Sequence, residues 1–266
     1  MENSATFRQA IEDQYKTPEH LKTRGNLHSF NTNKVDWDKW CFDRMQIPRQ
    51  ARILELGCGT GSFWFANRCS LGAGWDITLS DLSIGMLESA RVKLGQVHDF
   101  SYAEIDAQNI PYEDESFDVI IARHMLYLVP DIAKALSEIK RVLVKGGTLY
   151  ATTNSRESMS ELNALVEGFD AKMDLHNNGM GDRFDMEGGY LLLRQYFDEA
   201  HVEVLTGRIV VDDAAPVVAY KASTLKGSVI LVGEKKEQFT RHVEEHILKN
   251  GSLSITTKSC MFTARK

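Results

Sequence analysis

The feature that most constrains this chain is the run Ile53-Leu54-Glu55-Leu56-Gly57-Cys58-Gly59-Thr60-Gly61, a short apolar stretch that stops in three alternating glycines. An apolar run of this length bounded by glycine reads as a buried strand. Glycine is needed after a strand where the backbone turns sharply and where a ligand is to press against the main chain. A helix is expected from about Gly61. A strand, a glycine loop and a helix open a βαβ unit, and open α/β sheets take their ligands at the carboxyl ends of the strands, near the switch in strand order.

The middle of the chain repeats this alternation. Strands are expected at residues 52–56, 74–79, 100–105, 117–122 and 148–153, the fourth apolar throughout, as a strand buried on both faces must be. Ile132, Leu136, Ile139 and Leu143 recur at helical spacing before the fifth. Such a pattern implies a mostly parallel sheet with right-handed crossovers. Residues 1–47 read as short helices: Thr17 and Pro18 open one and Gly25 ends it, while Asp36 caps a second whose Trp37, Trp40 and Cys41 share a face. In residues 155–266, Ser158 and Glu161 suggest a capping box, residues 176–189 with four glycines suggest a mobile loop, and 202–211 and 252–263 suggest strands. Without a repeat or linker, the 266 residues are expected to form one domain: a helical lid (1–47), a cofactor-binding core (50–154) and a carboxyl-terminal part (155–266).

The glycine loop allows two ligand readings. The dinucleotide fingerprint has the spacing GxGxxG, but here the third glycine comes one residue early and Ser62 occupies its place. Asp81, 20 residues beyond Gly61, suits a ribose in either reading. Glu55 separates them: a carboxylate just before the loop repels a pyrophosphate and suits a cofactor with a cationic end. S-adenosylmethionine has an ammonium, a sulfonium and no phosphate. Asp106-Ala107-Gln108, after the third strand, offers an acid and backbone amides to an adenine.

Residues 55–61 resemble the first motif of the class I S-adenosylmethionine-dependent methyltransferases, 117–120 their fourth-strand motif, and 141–147 the turn into their fifth strand, without the proline common there. Residues 110–112 and 116–118 are similar to the UbiE-like group, within methyltransferase type 11, and the segments 15–40, 124–130 and 193–220 look like a bacterial subgroup of it. The resemblance implies a Rossmann-like, doubly wound α/β sheet in the order 3-2-1-4-5-7-6 with an antiparallel seventh strand. It also implies a cofactor site of Tyr15, Arg24, Glu55, Gly57, Gly59, Gly61, Asp81, Leu82, Met86, Asp106, Ala107, Gln108 and Arg123, in which Asp81 binds both ribose hydroxyls, Asp106 faces the adenine and Arg24 pairs with the methionine carboxylate.

Methyl transfer is an in-line displacement at an already activated carbon, so alignment and desolvation carry most of it, and a base is needed only for a protonated acceptor. His124, just past the fourth strand, is the candidate base, with Tyr127 beyond it as a second candidate catalytic residue; Arg123 could instead hold an acidic acceptor. Trp37 and Trp40 could simply staple the lid, and Tyr15 could offer its ring to the sulfonium. In the glycine-rich loop, His176, Asp182, Arg183 and Asp185 read as a solvated surface that could reach an acceptor.

A net charge of −6, with no basic cluster interleaved with aromatics, argues against an RNA substrate and mildly favours a cationic acceptor. The expected partner is a small-molecule or peptide acceptor, with an N-methyltransferase of a peptide or natural-product amine, or a non-catalytic S-adenosylmethionine-binding protein, as alternatives. Cys41, Cys58, Cys69 and Cys260 lack metal-ligand spacing and suit free thiols. No apolar run is long enough for a signal core or a membrane span, so a cytoplasmic protein is expected.

Overall fold

The computed structural model describes Ile11, Tyr15, residues 19–173 and residues 183–266. Its strands are β1 (Gln50–Leu56), β2 (Gly74–Asp81), β3 (Phe100–Glu104), β4 (Phe117–Arg123), β5 (Leu143–Asn154), β6 (Glu199–Val211) and β7 (Leu253–Arg265). They join in one sheet in the order β3-β2-β1-β4-β5-β7-β6, as the resemblance implies. β1 to β5 are parallel, and β7 runs antiparallel to both β5 and β6. The described helices are α1 (Glu19–His28), α2 (Trp37–Phe42), α3 (Ser62–Ala66), α4 (Ile84–Leu94), α5 (Ile132–Val142), α6 (Ser160–Asp170), α7 (Met186–Tyr196), α8 (Ala214–Ala222), α9 (Leu225–Ile230) and α10 (Gly233–Asn250).

Alternation along the strands divides the core between the two faces. Leu54, Leu56, Ile120 and Ala122 pack with Leu136 and Ile139 of α5 and Leu193 of α7. Ile53, Ile77, Val119 and Ile121 pack with Phe63 and Trp64 of α3 and Ala90 and Leu94 of α4. Trp37, Trp40 and Phe42 of α2 lie against this second cluster around buried Cys41, so the aromatic face read from the sequence does fasten α2 to the sheet.

The β6–β7 hairpin overhangs the sheet. β5 stops at Asn154 opposite Ser259, yet residues 253–258 of β7 continue paired to 206–211 of β6. β5 points its carboxyl end in that direction, so the overhang rises past the carboxyl edge. A third cluster forms on it: Leu27 of α1, Leu162 and Val166 of α6, Val217 of α8 and Phe239 and Val243 of α10 close around Ile209, Val211, Leu253 and Ile255.

The chain between α1 and α2 is laced onto this overhang. The Thr32 amide donates to the Arg208 carbonyl at 2.8 Å, Asn31 Nδ2 to Thr257 Oγ1 at 3.1 Å and Asn33 Nδ2 to the Thr206 carbonyl at 2.9 Å, while Asn31 Oδ1 accepts the Arg208 amide at 3.1 Å. Gly207 permits the approach, because a Cβ there would stand 2.5 Å from Asn31 Nδ2.

Several local expectations fail. Gly25 does not stop α1, which continues to His28, and Thr17 and Pro18 lie outside the described residues. Leu143 is the first residue of β5 and not the last of a helix. Ser158 and Glu161 form no capping box. Met159 holds the N-cap position in a left-handed conformation, Ser158 Oγ accepts the Lys258 amide at 3.1 Å, and Glu161 accepts the Thr256 amide at 2.9 Å; a neighbouring strand rich in donors outcompetes the local cap. Gly188 and Gly189 belong to α7, which Asp185 caps, and not to a mobile loop; His176 and Asp182 lie outside the described residues. Asp185 is 2% exposed, and Arg183 donates to the Val129 and Pro130 carbonyls, so neither is merely a solvated charge.

Substituting Gly207→Ala should displace both asparagines. Hydrogen exchange at the Thr32 and Arg208 amides should then accelerate by about fivefold, the equivalent of roughly 1 kcal/mol for one net hydrogen bond, with the sheet amides unaffected.

Candidate active site

β1 lies between β2 and β4, and the chain leaves the carboxyl ends of β1 and β4 on opposite faces: into Phe63 and Trp64 of α3 in one case, into Leu126 in the other. The crevice between these departures is where a parallel sheet binds ligands. It opens into a cavity of about 1710 Å³. A pocket for one small molecule occupies roughly 300–1,000 Å³, so this one has room for two ligands side by side.

Every residue of the expected cofactor site except Gly61 lines this cavity, as do His124, Tyr127, Trp37 and Asp185, whereas Trp40 and Arg183 do not. Gly61 sits at φ +70° at the start of α3, where a Cβ would meet Leu94 Cδ1 at 2.8 Å; it closes the loop against α4. Gly57, at φ +69°, is required because the turn after β4 comes so near that a Cβ would stand 2.8 Å from Met125 Cβ.

Asp81, the last residue of β2, ties two turns together. Its Oδ2 accepts the Gly59 amide and its Oδ1 the Ser83 amide, both at 2.9 Å. Burial pushes its carboxyl upward, and the amides of Ser83, Gly59 and Leu82 offset part of that. Met86 is buried in the first turn of α4, which Ser83 caps. Beyond β3, Asp106 Oδ1 accepts the Gln108 amide at 2.9 Å, and Gln108 Oε1 accepts the Asp131 amide at 3.0 Å, which links the β3 turn to the start of α5.

Glu55 points from β1 beneath the glycine loop. It is 1% exposed and accepts Trp64 Nε1 at 2.5 Å. Burial pushes its carboxyl up to about 7, against the pull of Arg123 and the Trp64 hydrogen bond. Arg123, the last residue of β4, pairs with Asp38 of α2 and lies 4.2 Å from the centroid of the Phe63 ring. Sequence reasoning missed both Trp64 and Asp38: each reads as an ordinary helix residue until the fold brings it to Glu55 or Arg123.

His124 is held at φ +50°, with its amide 3.1 Å from both the carbonyl and Oγ1 of Thr152. Its ring stands 5.8 Å from that of Trp37. Burial, then the Arg123 charge, then His28 push His124 down to about 3, so at neutral pH it is an uncharged imidazole and not the near-neutral titrating base expected of an ordinary histidine. Tyr127 lines the cavity near Tyr15, Arg24 and Tyr220, whose charges or hydroxyls bear on it. Arg24 donates Nη1 to the Ser223 carbonyl at 3.0 Å and lies 5.4 Å from the Tyr15 ring centroid; the Tyr15 carbonyl accepts Ser83 Oγ at 2.9 Å. Tyr220 was not singled out, since it reads as one more apolar residue of α8.

Glu55 ties ligand-free stability to pH. Its carboxyl is raised in the folded state, so the stability it contributes is full below the usual 4.5 and is lost as pH rises through about 7. Glu55→Gln keeps an acceptor for Trp64 and removes the titration. Denaturant melts should show the variant near wild type at about pH 5 and more stable on the order of 2 kcal/mol at about pH 8. Equal stability at the higher pH would show that the charge is already compensated in place.

Residues 54–151 match a family model described as a methyltransferase domain. The chain is 34% identical over 134 residues to the demethylmenaquinone methyltransferase of Staphylococcus haemolyticus, covering 50% of this chain and 56% of that protein. It is 32% identical over the same length to that of Staphylococcus aureus MRSA252, covering 50% and 55%. The chain thus spans little more than half the length of these curated relatives. In fold it is similar to a putative methyltransferase of Bacillus halodurans (TM-score 0.59, 20% identity, 86% of this chain and 98% of that one). It is also similar to the 4+2 cyclase SpnF (0.51, 19%, 88% and 83%) and to an N-methyltransferase of Haemonchus contortus solved with S-adenosylhomocysteine (0.52, 18%, 86% and 52%).

Proposed function

We propose that this chain, whose residues 54–151 are a methyltransferase domain, transfers the methyl group of S-adenosylmethionine to a small-molecule acceptor. A cyclase shares the fold, so the fold does not choose the reaction; the reading rests on the site. The observation that carries it is the buried Glu55 carboxylate beneath the glycine loop. A dinucleotide would set its pyrophosphate there, against a carboxylate; an ammonium or sulfonium is welcome.

The residues present fit this cofactor. Asp81 ends β2, Asp106 follows β3 by two residues, and both line the cavity, one available to a ribose and the other to a purine. Trp37 Nε1 and Arg123 Nε are buried donors without a partner among the described residues, and both residues line the cavity, so a carboxylate there would satisfy them. Gly57 and Gly59 leave the main chain bare for the chain of the methionine. The bound cofactor supplies a methyl group already activated by its sulfonium.

What the protein adds is alignment and exclusion of water. α1 and α2 roof the crevice, while Tyr127, His124 and Met125 form the wall beyond the fourth strand. A neutral His124 can orient an acceptor by a hydrogen bond, and as a base it would serve only an acceptor that loses its proton easily. No helix among the described residues is long and apolar enough to cross a membrane.

Two measurements test this. Calorimetry should show S-adenosylhomocysteine binding in the micromolar range, about −8 kcal/mol, with no heat from NAD; Asp81→Ala should weaken it about 10- to 100-fold through the lost charge-assisted ribose bonds. Unchanged affinity in that variant, or tight NAD binding, would falsify the cofactor assignment. Nitrogen-15 NMR of the histidine rings should find His124 still neutral at about pH 5, where an ordinary histidine is protonated. A midpoint near the ordinary value would restore it as a titrating base.

A further inference from the structure

The cavity holds more buried donor capacity than the cofactor can use. Among the described residues the buried side-chain nitrogens without a partner are Arg24 Nη2, Trp37 Nε1 and Arg123 Nε, and all three residues line this one cavity. They fall into two places. Arg123 lies against Phe63, paired to Asp38, and its charge bears on Glu55, Cys41 and His124. Trp37 adjoins it, one residue before Asp38 and against His124. Arg24 lies at the junction of the lid and the cap: its Nη1 is fixed by the Ser223 carbonyl, and its charge bears on Tyr15, Tyr127 and Tyr220.

The two arginines differ in their counterions. Arg123 has Asp38. Among the described residues no carboxylate pairs with Arg24, whose neighbours are three phenols and a backbone carbonyl. A guanidinium N–H buried without a partner, as Arg24 Nη2 is, is costly, and such groups persist where an anion arrives. The cofactor brings one carboxylate, which the Arg123 and Trp37 donors satisfy. A second donor set therefore implies a second anion, and the cavity has volume for the molecule that carries it.

We infer that Arg24, with the hydroxyls of Tyr15, Tyr127 and Tyr220, is the anion-recognising pole of the acceptor subsite, and that the acceptor is a small molecule bearing a carboxylate. This rests on the methyltransferase reading. A planar guanidinium flanked by neutral hydroxyl donors suits a planar monoanion. Each hydroxyl is held protonated by burial, and so stays a donor. The cavity lining also includes apolar Leu128, Val129, Met159 and Leu225, which would take the body of the acceptor. Arg24 thereby passes from the cofactor, where the sequence resemblance puts it, to the substrate.

The test uses the full chain saturated with S-adenosylhomocysteine and a matched pair of probes, 3-phenylpropionate and 3-phenylpropionamide, with binding read by saturation-transfer NMR. The carboxylate should bind wild type at least about tenfold tighter than the amide, as charge-assisted hydrogen bonds dictate. Arg24→Gln should erase the preference and leave S-adenosylhomocysteine affinity within about threefold. Tyr220→Phe, which removes only a hydroxyl, should reduce the preference in part and serves as the readout if Arg24→Gln does not fold. Equal or undetectable binding of both probes to wild type overturns the inference. So does a tenfold loss of S-adenosylhomocysteine affinity in Arg24→Gln, which would return Arg24 to the cofactor. Failure of wild type to bind S-adenosylhomocysteine at all is a separate outcome that removes the methyltransferase reading and this inference with it.

Discussion

One antiparallel strand, β7, decides what stands beyond the carboxyl edge of the sheet. Because it enters from that edge, residues 253–258 project beyond Asn154 and carry β6 with them. The projecting ladder then needs cover for Ile209, Val211, Leu253 and Ile255, and the amphipathic faces of α6, α8 and α10 supply it. Leu27 brings α1 into the same core.

Electrostatics inside the crevice follows from that enclosure. Glu55, Asp81 and His124 sit where water is scarce and are displaced toward their neutral forms, while Asp38, Cys41 and Glu55 hold Arg123 charged against the same burial. The charges are not arranged for mutual neutralisation alone. Trp64 holds Glu55 in place, Asp38 holds Arg123, and the amides of Gly59 and Ser83 hold Asp81. The orientation of these groups is set before any ligand enters, which is where preorganised sites draw their strength.

The sequence made the sheet and the cofactor side legible because both depend on near neighbours in the chain. Gly57, Gly59 and Gly61 announce their loop through spacing alone, and the apolar run at β4 announces a doubly covered strand. Its legibility ends where a partner comes from far along the chain. Asp38 meets Arg123 across 85 residues, Glu161 leaves its own helix for Thr256 across 95, and Arg24 meets the Ser223 carbonyl across 199. Gly25 and Gly188 look like breaks, yet each lies inside a helix, where packing overrides a cost of about 1 kcal/mol. His124 shows the same limit: its place after β4 was readable, while its neutrality depends on Arg123 and on the depth of burial.

The crossing of residues 30–33 over β6 also bears on how the molecule behaves in a crowd. β6 is the last strand of the sheet, and its free side would present a row of unpaired amides and carbonyls beside the exposed Val202, Val204 and Val210. Such an edge is a template for another molecule's strand. The amino-terminal segment occupies its upper part through Asn31, Thr32 and Asn33, and the Arg44–Glu203 ion pair guards the lower part with charge. The stretch that joins α1 to α2 thus also covers part of an edge on which another molecule's strand could otherwise pair.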